Sequence, residues 1–433
     1  MSFQKAYEKF ILPKYRTNEY AYDYDIVGVY DNPYKIKDRK DLTHLECYTI
    51  DPPNCKDPDD GFSYHNGTLY IHIVDPTEYF KPDSDTFTAI MKNGLTHYPE
   101  RSEPDNMMPP DILKEAAFTD GIKRAITIST AIDPYTLLPI GEVAIEFTLV
   151  RCSIITNFTY TTARKGIPTP LFDTCMTVSK CMRQQRNGAG DKLAEIAGEN
   201  PDILAIKQMI AEFAIFTNAT IAQYLKLQLG TGLFRHFDAD GTDWKNLTSH
   251  EMMKTIIDNG MSANYLTTQG SHDLLDVPVY CHFTSPLRRA SDCICHFLVK
   301  AAYLNYDLPF TKTTLDLMAT HLDAISKKER KIQHADRKFC FFEQVHDQTP
   351  FSLQFRVTCY TRTFFNIILE CINKTPIQVS YTLRIPNLEE SVIKHFEDNP
   401  VHTLQITTVN VPNKFDEGTL PELDAYIKNF RPK

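Results

Sequence analysis

The sequence predicts a mixed fold of the α+β (α/β) kind, with a strand-rich first half, a helical middle and a β-rich tail. Three observations carry this. Short β-branched and aromatic runs recur from Glu46 to about Ile155, apolar residues fall at helical spacing after Pro170, and strand-like text returns beyond Thr349. With 433 residues and 42% hydrophobic content the chain can bury a large core, and its length suits two or three domains.

In chain order, residues 1–45 are rich in Tyr and charge with little periodicity and read as an extension or cap. Residues 46–349 form the main domain. There "TLYIHIVD" (Thr68–Asp75) has the composition of a buried strand, followed by "RAITISTAI" and "EVAIEFTLVRCSII", with a turn-rich loop, "PERSEPDNMMPPD", between them. "DILAIKQMIAEFAIFTNATIAQYLKLQL" places Ile206, Met209, Ile210, Phe213, Phe216, Ile221 and Tyr224 on one helical face. Two further helices are expected in "SPLRRASDCICHFLVKAAYLNY" and "TLDLMATHLDAISKKERKIQHADRKFCFFEQV". Residues 350–433, with "FSLQFRVTCY", "TFFNIILECI", "IQVSYTLRI" and "TLQITTV", form a small β-rich domain.

The formal net charge of −9 argues against a generally basic nucleic-acid coat, but not against a local channel that grips a polyanion. Eleven cysteines without zinc-type spacing or a disulfide framework read as reduced thiols. The N-terminus is too charged for a secretory signal, and no apolar run nears the ~20 residues of a membrane span. The expectation is a soluble, cytoplasmic protein.

Two stretches carry chemistry. "IDPPNCKDPDD" sets Asp51, Asp57, Asp59 and Asp60 on a segment that Pro52, Pro53 and Pro58 keep out of a helix. Carboxylates converging there would suit a hard divalent cation, Mg²⁺ or Mn²⁺; the other reading is a solvated acidic turn. A calcium loop of the EF-hand kind fails, because Lys56 and Phe62 stand where it needs glycine and glutamate. "HFTSPLRRASD" reads as a helix start, with Ser285 as N-cap and Pro286 in the first helical position. Free N–H groups of the first turn with Arg288 and Arg289 would make a phosphate site; solvated arginines on a surface helix are the alternative.

These blocks resemble the ribonuclease II / ribonuclease R (RNB) family. "IDPPNCKDPDDG" is similar to its D-x5-D-x-D-D signature, "YIHIVDPTEYF" to H-I-A-D-x-[ST]-x-[FY], and "MMPPDIL" to M-L-P-x-x-L. "RCSIITNFTYTTA", "IAEFAIFTNATIA" and "TGLFRHFDA" follow in family order, and "CHFTSPLRRASD" is close to the most specific block, T-H-F-T-S-P-I-R-R-Y-x-D. The likeness runs from about 46 to 345. It implies a catalytic domain whose sheet and helices enclose an RNA channel, and a Mg²⁺-dependent 3′→5′ hydrolase of single-stranded RNA releasing nucleoside 5′-monophosphates. Carried over, Asp51, Asp57, Asp59 and Asp60 hold metal and orient the attacking water, and Arg288 clamps a phosphate. Ser285 and Arg289 belong to the same substrate-binding block. Glu212 stands where the family has an acid near the terminal nucleotides, and Tyr98 where it has an RNA-stacking aromatic. Asp336, in "HADR", replaces a glutamate expected against the terminal ribose, which bears on preference for RNA over DNA.

Other departures are Gly61 for the usual Ala and Ala290 for the usual Tyr. Forty-five N-terminal residues are too few for the family's two oligonucleotide-binding barrels, so a protein partner supplying RNA-binding barrels is one expectation for an otherwise monomeric enzyme. Residues 350–433 suit a reduced barrel of that type, although nine Lys/Arg against nine Asp/Glu give no basic surplus. "SKKERKIQHADRK" suits either an RNA entry funnel or a solvated helix face. Cys293, Cys295, His282 and His296 read as buried or hydrogen-bonded, and Trp244 as a loop anchor. The rival to an enzyme is a non-catalytic RNA-binding or protein-interaction module on the same scaffold.

Overall fold

The structure, a computed structural model, describes residues 3–28, 31–186, 200–247, 251–252, 255–256, 259–268, 270–346, 351–360, 364–372, 375–384 and 401–406. The alternating strands of the first half assemble into one five-stranded sheet. Its members are β1 (Lys40–Glu46), β3 (Asp60–His65), β4 (Thr68–Val74), β5 (Gly121–Ile132) and β6 (Pro139–Cys152), in the order β1-β6-β5-β4-β3. β1 runs parallel to β6 and the other pairs are antiparallel. The sheet therefore takes in Lys40–Glu46, six residues ahead of the expected domain start. Asn66 and Gly67, both at positive φ, turn β3 tightly into β4.

A short β2 (Thr49–Asp51) leaves this sheet and pairs in parallel with β7 (Asn157–Thr159). The aspartate segment thus hangs between Asp51, the last residue of β2, and Asp60, the first of β3. The helices α2 (Asp85–Asn93), α3 (Pro110–Ala116) and α4 (Ala163–Gly166) lie between strands or after β7. α5 (Thr169–Arg186) and α6 (Pro201–Leu229) then pack side by side. α6 begins where Asn200 caps Asp202 N–H and Pro201 takes the first helical position. Ile206, Met209, Phe213 and Ile221 are buried, and Ile210, Phe216 and Tyr224 pack partly against the same core, as the helical spacing predicts. Each such fully buried side chain is worth about 1.5–3 kcal/mol.

After β8 (Phe234–His236) and β9 (Asn264–Leu266) come α7 (Ala290–Leu304) and the long α8 (Lys312–His346). α7 is almost wholly buried, including Cys293, Cys295 and His296. His296 stacks on Phe283 at 4.1 Å and His282 bonds the Tyr265 hydroxyl at 2.7 Å, so both are packing residues. Trp244 is buried against Phe237.

Behind the aspartate loop lies a buried set of charges. Lys300 of α7 reaches Asp75 at 2.9 Å and Glu78 at 2.5 Å, and Arg39 reaches the same two carboxylates at 2.5 and 2.9 Å. Two cations balance two anions in the core and tie the end of β4 to α7.

The N-terminal extension is folded. α1 (Phe3–Phe10) packs Ala6 and Tyr7, with Ile11 and Tyr15 beyond it, onto Ile332 and Phe339 of α8. At the other end, β10 (Phe351–Tyr360), β11 (Phe364–Ile372), β12 (Thr375–Arg384) and β13 (Val401–Ile406) form an antiparallel sheet in the order β12-β11-β10-β13. The strand expectation for this region holds. Most of 385–433, on which closure into a barrel depends, lies outside the described residues. Among the described residues no helix is long and apolar enough to cross a membrane, and no cysteines are bridged.

Candidate active site

The aspartate loop meets the segment that leads into α7. Asp59, 5% exposed, accepts a 2.8 Å hydrogen bond from Leu287 N–H at Oδ1 and a 3.2 Å contact from Arg288 Nε at Oδ2. Its backbone carbonyl accepts Val74 N–H, which fixes it to the end of β4. Arg288 also donates to Ser285 Oγ at 2.8 Å, leaving a guanidinium whose side chain is 45% exposed. The arginine is pinned on one edge and open on the other.

This geometry corrects the expected helix start. Residues 286–288 form a turn, closed by Arg289 N–H onto Ser285 carbonyl, and the helix begins only at Ala290. Ser285 caps no helix. Its N–H goes to Asp292 Oδ1, and its hydroxyl holds Arg288. Leu287 N–H, expected to face phosphate, is spent on Asp59. Arg289 is also not a phosphate ligand as it stands, because it forms a two-pronged pair with Asp292 at 2.8–2.9 Å.

Burial dominates the electrostatics of the carboxylates. It pushes Asp59 up to about 7, against the pull of Arg288 and the Leu287 N–H. Burial and the Asp51 charge push Asp60 to about 7 as well. Burial and the Asp59 charge raise Asp51 to about 6, and burial raises Asp57. Such mutual elevation is expected when carboxylates share a partly desolvated space with one arginine among them. Asp51 Oδ2 is buried with no hydrogen-bond partner. A cation among these groups would satisfy that oxygen and lower every one of these pKa values, so the donor set fits a hard divalent ion. The side chains are not fully converged, however: among the described residues no three His, Cys, Asp or Glu groups stand close enough to hold a metal.

The remaining expected residues divide. Tyr98, 42% exposed, lies near enough to Arg288, Asp57 and Asp59 to feel their charges. Glu212 is buried and gripped by Arg186 through Nε and Nη2 at 2.8–3.2 Å. Asp336 is displaced from the expected role. It is fully buried, accepts from the Tyr7 and Tyr15 hydroxyls and from Glu100 N–H, and so presents nothing to a ribose.

Two neighbours of the aspartates were not singled out from the sequence. Tyr160 follows β7, is pushed up to about 12 by burial and then by Asp51 and Asp60, and carries Lys207 Nζ 5.2 Å above its ring. It sits inside the motif "NFTYTTA", which was the available signal. Cys55 lies within the loop with its Sγ 3.7 Å from Asp51 Oδ1. Gly61 also has a reason: a Cβ there would meet Cys47 Sγ at 2.6 Å and Tyr48 carbonyl at 3.0 Å.

Residues 39–165 and 191–305 match the family described as RNB domain, more than half of the chain. The chain belongs to the RNB family. Within the family it is 25% identical over 369 residues to the exosome complex exonuclease RRP44 homolog A of Arabidopsis thaliana, covering 69% of this chain and 39% of that protein. It is 26% identical over 366 residues to exoribonuclease 2 of Buchnera aphidicola, covering 69% and 55%. This RNB chain thus spans only part of the length of these relatives. Its fold resembles Mycoplasma genitalium RNase R in complex with ribose methylated single-stranded RNA, with a TM-score of 0.61 at 14% identity over 85% of this chain and 72% of that one. It also resembles yeast Ssd1, a pseudonuclease, with a TM-score of 0.62 at 14% identity over 80% and 50%.

Proposed function

We propose that the protein is a divalent-metal-dependent, Mg²⁺-preferring 3′→5′ exoribonuclease that hydrolyses single-stranded RNA to nucleoside 5′-monophosphates. The observation that carries this reading is Arg288, held against Asp59 inside four aspartates of raised pKa yet 45% exposed on its outer edge. A binding module gains nothing from confining four like charges, whereas a phosphodiester hydrolase needs both the carboxylates and an open arginine. Because this fold occurs in nucleases and in a pseudonuclease, the argument rests on these side chains.

In this reading Asp51, Asp57 and Asp60 would hold the cation, which when bound activates water and offsets phosphate charge. Asp59 holds Arg288 and Leu287 in place and orients the attacking water. Arg288 uses its open edge on the scissile phosphate, and Ser285 sets its angle. Tyr98 stacks a base, which tolerates any sequence. Arg186 holds Glu212 in place near the terminal nucleotides. Reduced cysteines suit a cytosolic compartment.

The test is incubation of purified protein with 5′-labelled single-stranded RNA or DNA, with Mg²⁺ or EDTA, beside Asp59→Asn. A Mg²⁺-dependent ladder shortening from the 3′ end, lost in the variant, supports the reading. The incomplete convergence of the carboxylates favours one rival, an RNA-binding module without catalysis. Retained RNA binding with no shortening would establish that rival.

A further inference from the structure

The loop from Gly94 to Asn106 carries Tyr98 and is fixed on three sides. Toward the active site, Thr96 N–H bonds Arg288 carbonyl at 3.1 Å and Ala290 N–H bonds Gly94 carbonyl at 2.9 Å. His97 and Asp105 exchange both backbone hydrogen bonds, closing residues 98–104 into an arch. On the opposite side stands the N-terminal segment. Asn18 Nδ2 lies 3.0–3.1 Å from the carbonyls of Leu95, Asp105 and Asn106, and Asn18 N–H meets Asp105 Oδ2 at 2.8 Å. Tyr20 adds a bond to Asn106 carbonyl.

The third side is α8. Its buried stripe, Leu322, Glu329, Ile332, Asp336 and Phe339, places two acids at positions where a packing helix usually has apolar residues. Glu329 takes His97 Nδ1 at 2.9 Å. Asp336 Oδ2 alone gathers the Tyr7 hydroxyl at 2.9 Å, the Tyr15 hydroxyl at 2.8 Å and Glu100 N–H at 3.0 Å. One carboxylate oxygen therefore joins the N-terminal segment, the loop and α8.

We infer that residues 3–20 are a positioning element of the active site, holding the Tyr98 loop through Asn18 and the Tyr7–Asp336–Tyr15 cluster so that the Tyr98 ring is set for a base beside Arg288. The inference rests on the exoribonuclease reading for the role of Tyr98. Its physical content is preorganisation: both flanks of an exposed ring are fixed, so stacking a base need not order the loop. A segment that merely covered α8 would need apolar contacts with Ile332 and Phe339. It would not need four hydrogen bonds from Asn18 to a loop on another part of the fold.

The test uses the full chain in EDTA, with fluorescence anisotropy on labelled single-stranded RNA and amide exchange over residues 95–106. The variants are Asn18→Ala and the near-isosteric pair Tyr7→Phe with Tyr15→Phe, each alone and combined with Tyr98→Ala. Expected are exchange about tenfold faster at amides 97–105 and RNA binding about fivefold weaker. No further weakening is expected in the Tyr98→Ala background, and the RNA-to-DNA affinity ratio should not change. Unchanged exchange, or a binding loss that persists without Tyr98, would overturn the inference. A changed RNA-to-DNA ratio would return the cluster to a sugar-reading role and also overturn it. A wild type that binds no RNA would sink the exoribonuclease reading and the positioning role with it; tight wild-type binding with indifferent variants would sink the positioning role alone.

Discussion

Asp59→Asn should make the metal-free protein more stable while removing its activity. In the folded chain burial lifts Asp59 from its ordinary 3.8 to about 7, with the attraction of Arg288 already acting. At about 1.36 kcal/mol per pH unit, the charged form costs the folded state up to about 4 kcal/mol above pH 7. A pKa raised in the folded state means that stability is intact below about 4 and is lost as pH rises through about 7. The amide keeps an oxygen for Leu287 N–H but turns an NH₂ toward Arg288, a loss of about 1–2 kcal/mol. A net gain of about 2–3 kcal/mol is expected at pH 8, and none at pH 4. Urea unfolding in EDTA at both pH values measures it, beside the RNA ladder at pH 8. Equal destabilisation at both pH values would refute the reasoning, since Asp59 would then be a structural anion rather than a strained functional one.

Adding Mg²⁺ should stabilise the wild type far more at pH 8 than at pH 5, because the ligands must be deprotonated; about 2.7 kcal/mol is expected at a hundredfold excess over Kd, read as a shift in unfolding midpoint. Arg288→Lys, which cannot hold Asp59, Ser285 and a phosphate together, should lower the rate of RNA shortening by about 10²-fold or more in single-turnover kinetics. Lys300→Met leaves Asp75 and Glu78 sharing Arg39 and should cost about 3–5 kcal/mol in chemical denaturation. Gly61→Ala should lower the thermal midpoint, and Cys47→Ala should recover most of the loss, since the added methyl meets the Cys47 sulfur.

The strands, the long helices and the two chemical blocks were legible because their signals are local: period two, period 3.6, and residue types at fixed spacing. The failures share one physical cause, partners contributed by distant residues. Ser285-Pro286 has the composition of a helix start, but Asp59 and Asp292 claim Leu287 and Ser285 N–H and hold a turn there instead. Asp336 lies in a helix whose stripe could be drawn in advance, yet nothing local announces that Tyr7 and Tyr15, more than 300 positions earlier, occupy it. Arg186 for Glu212 is the same case. The extension showed little periodicity because α1 is one short amphipathic piece that gains its stability only on α8.

The span between Asp59 and Arg288, 229 residues, has a consequence for how the protein is made. At about 5–20 residues per second, a ribosome finishes Arg288 roughly 10–50 s after the aspartates. During that interval the nascent chain carries its acidic half-site without the arginine that aims it. If the proposed exoribonuclease reading holds, the nascent chain cannot cut the messenger being translated until Arg288, two thirds of the way along the chain, has left the tunnel and met Asp59.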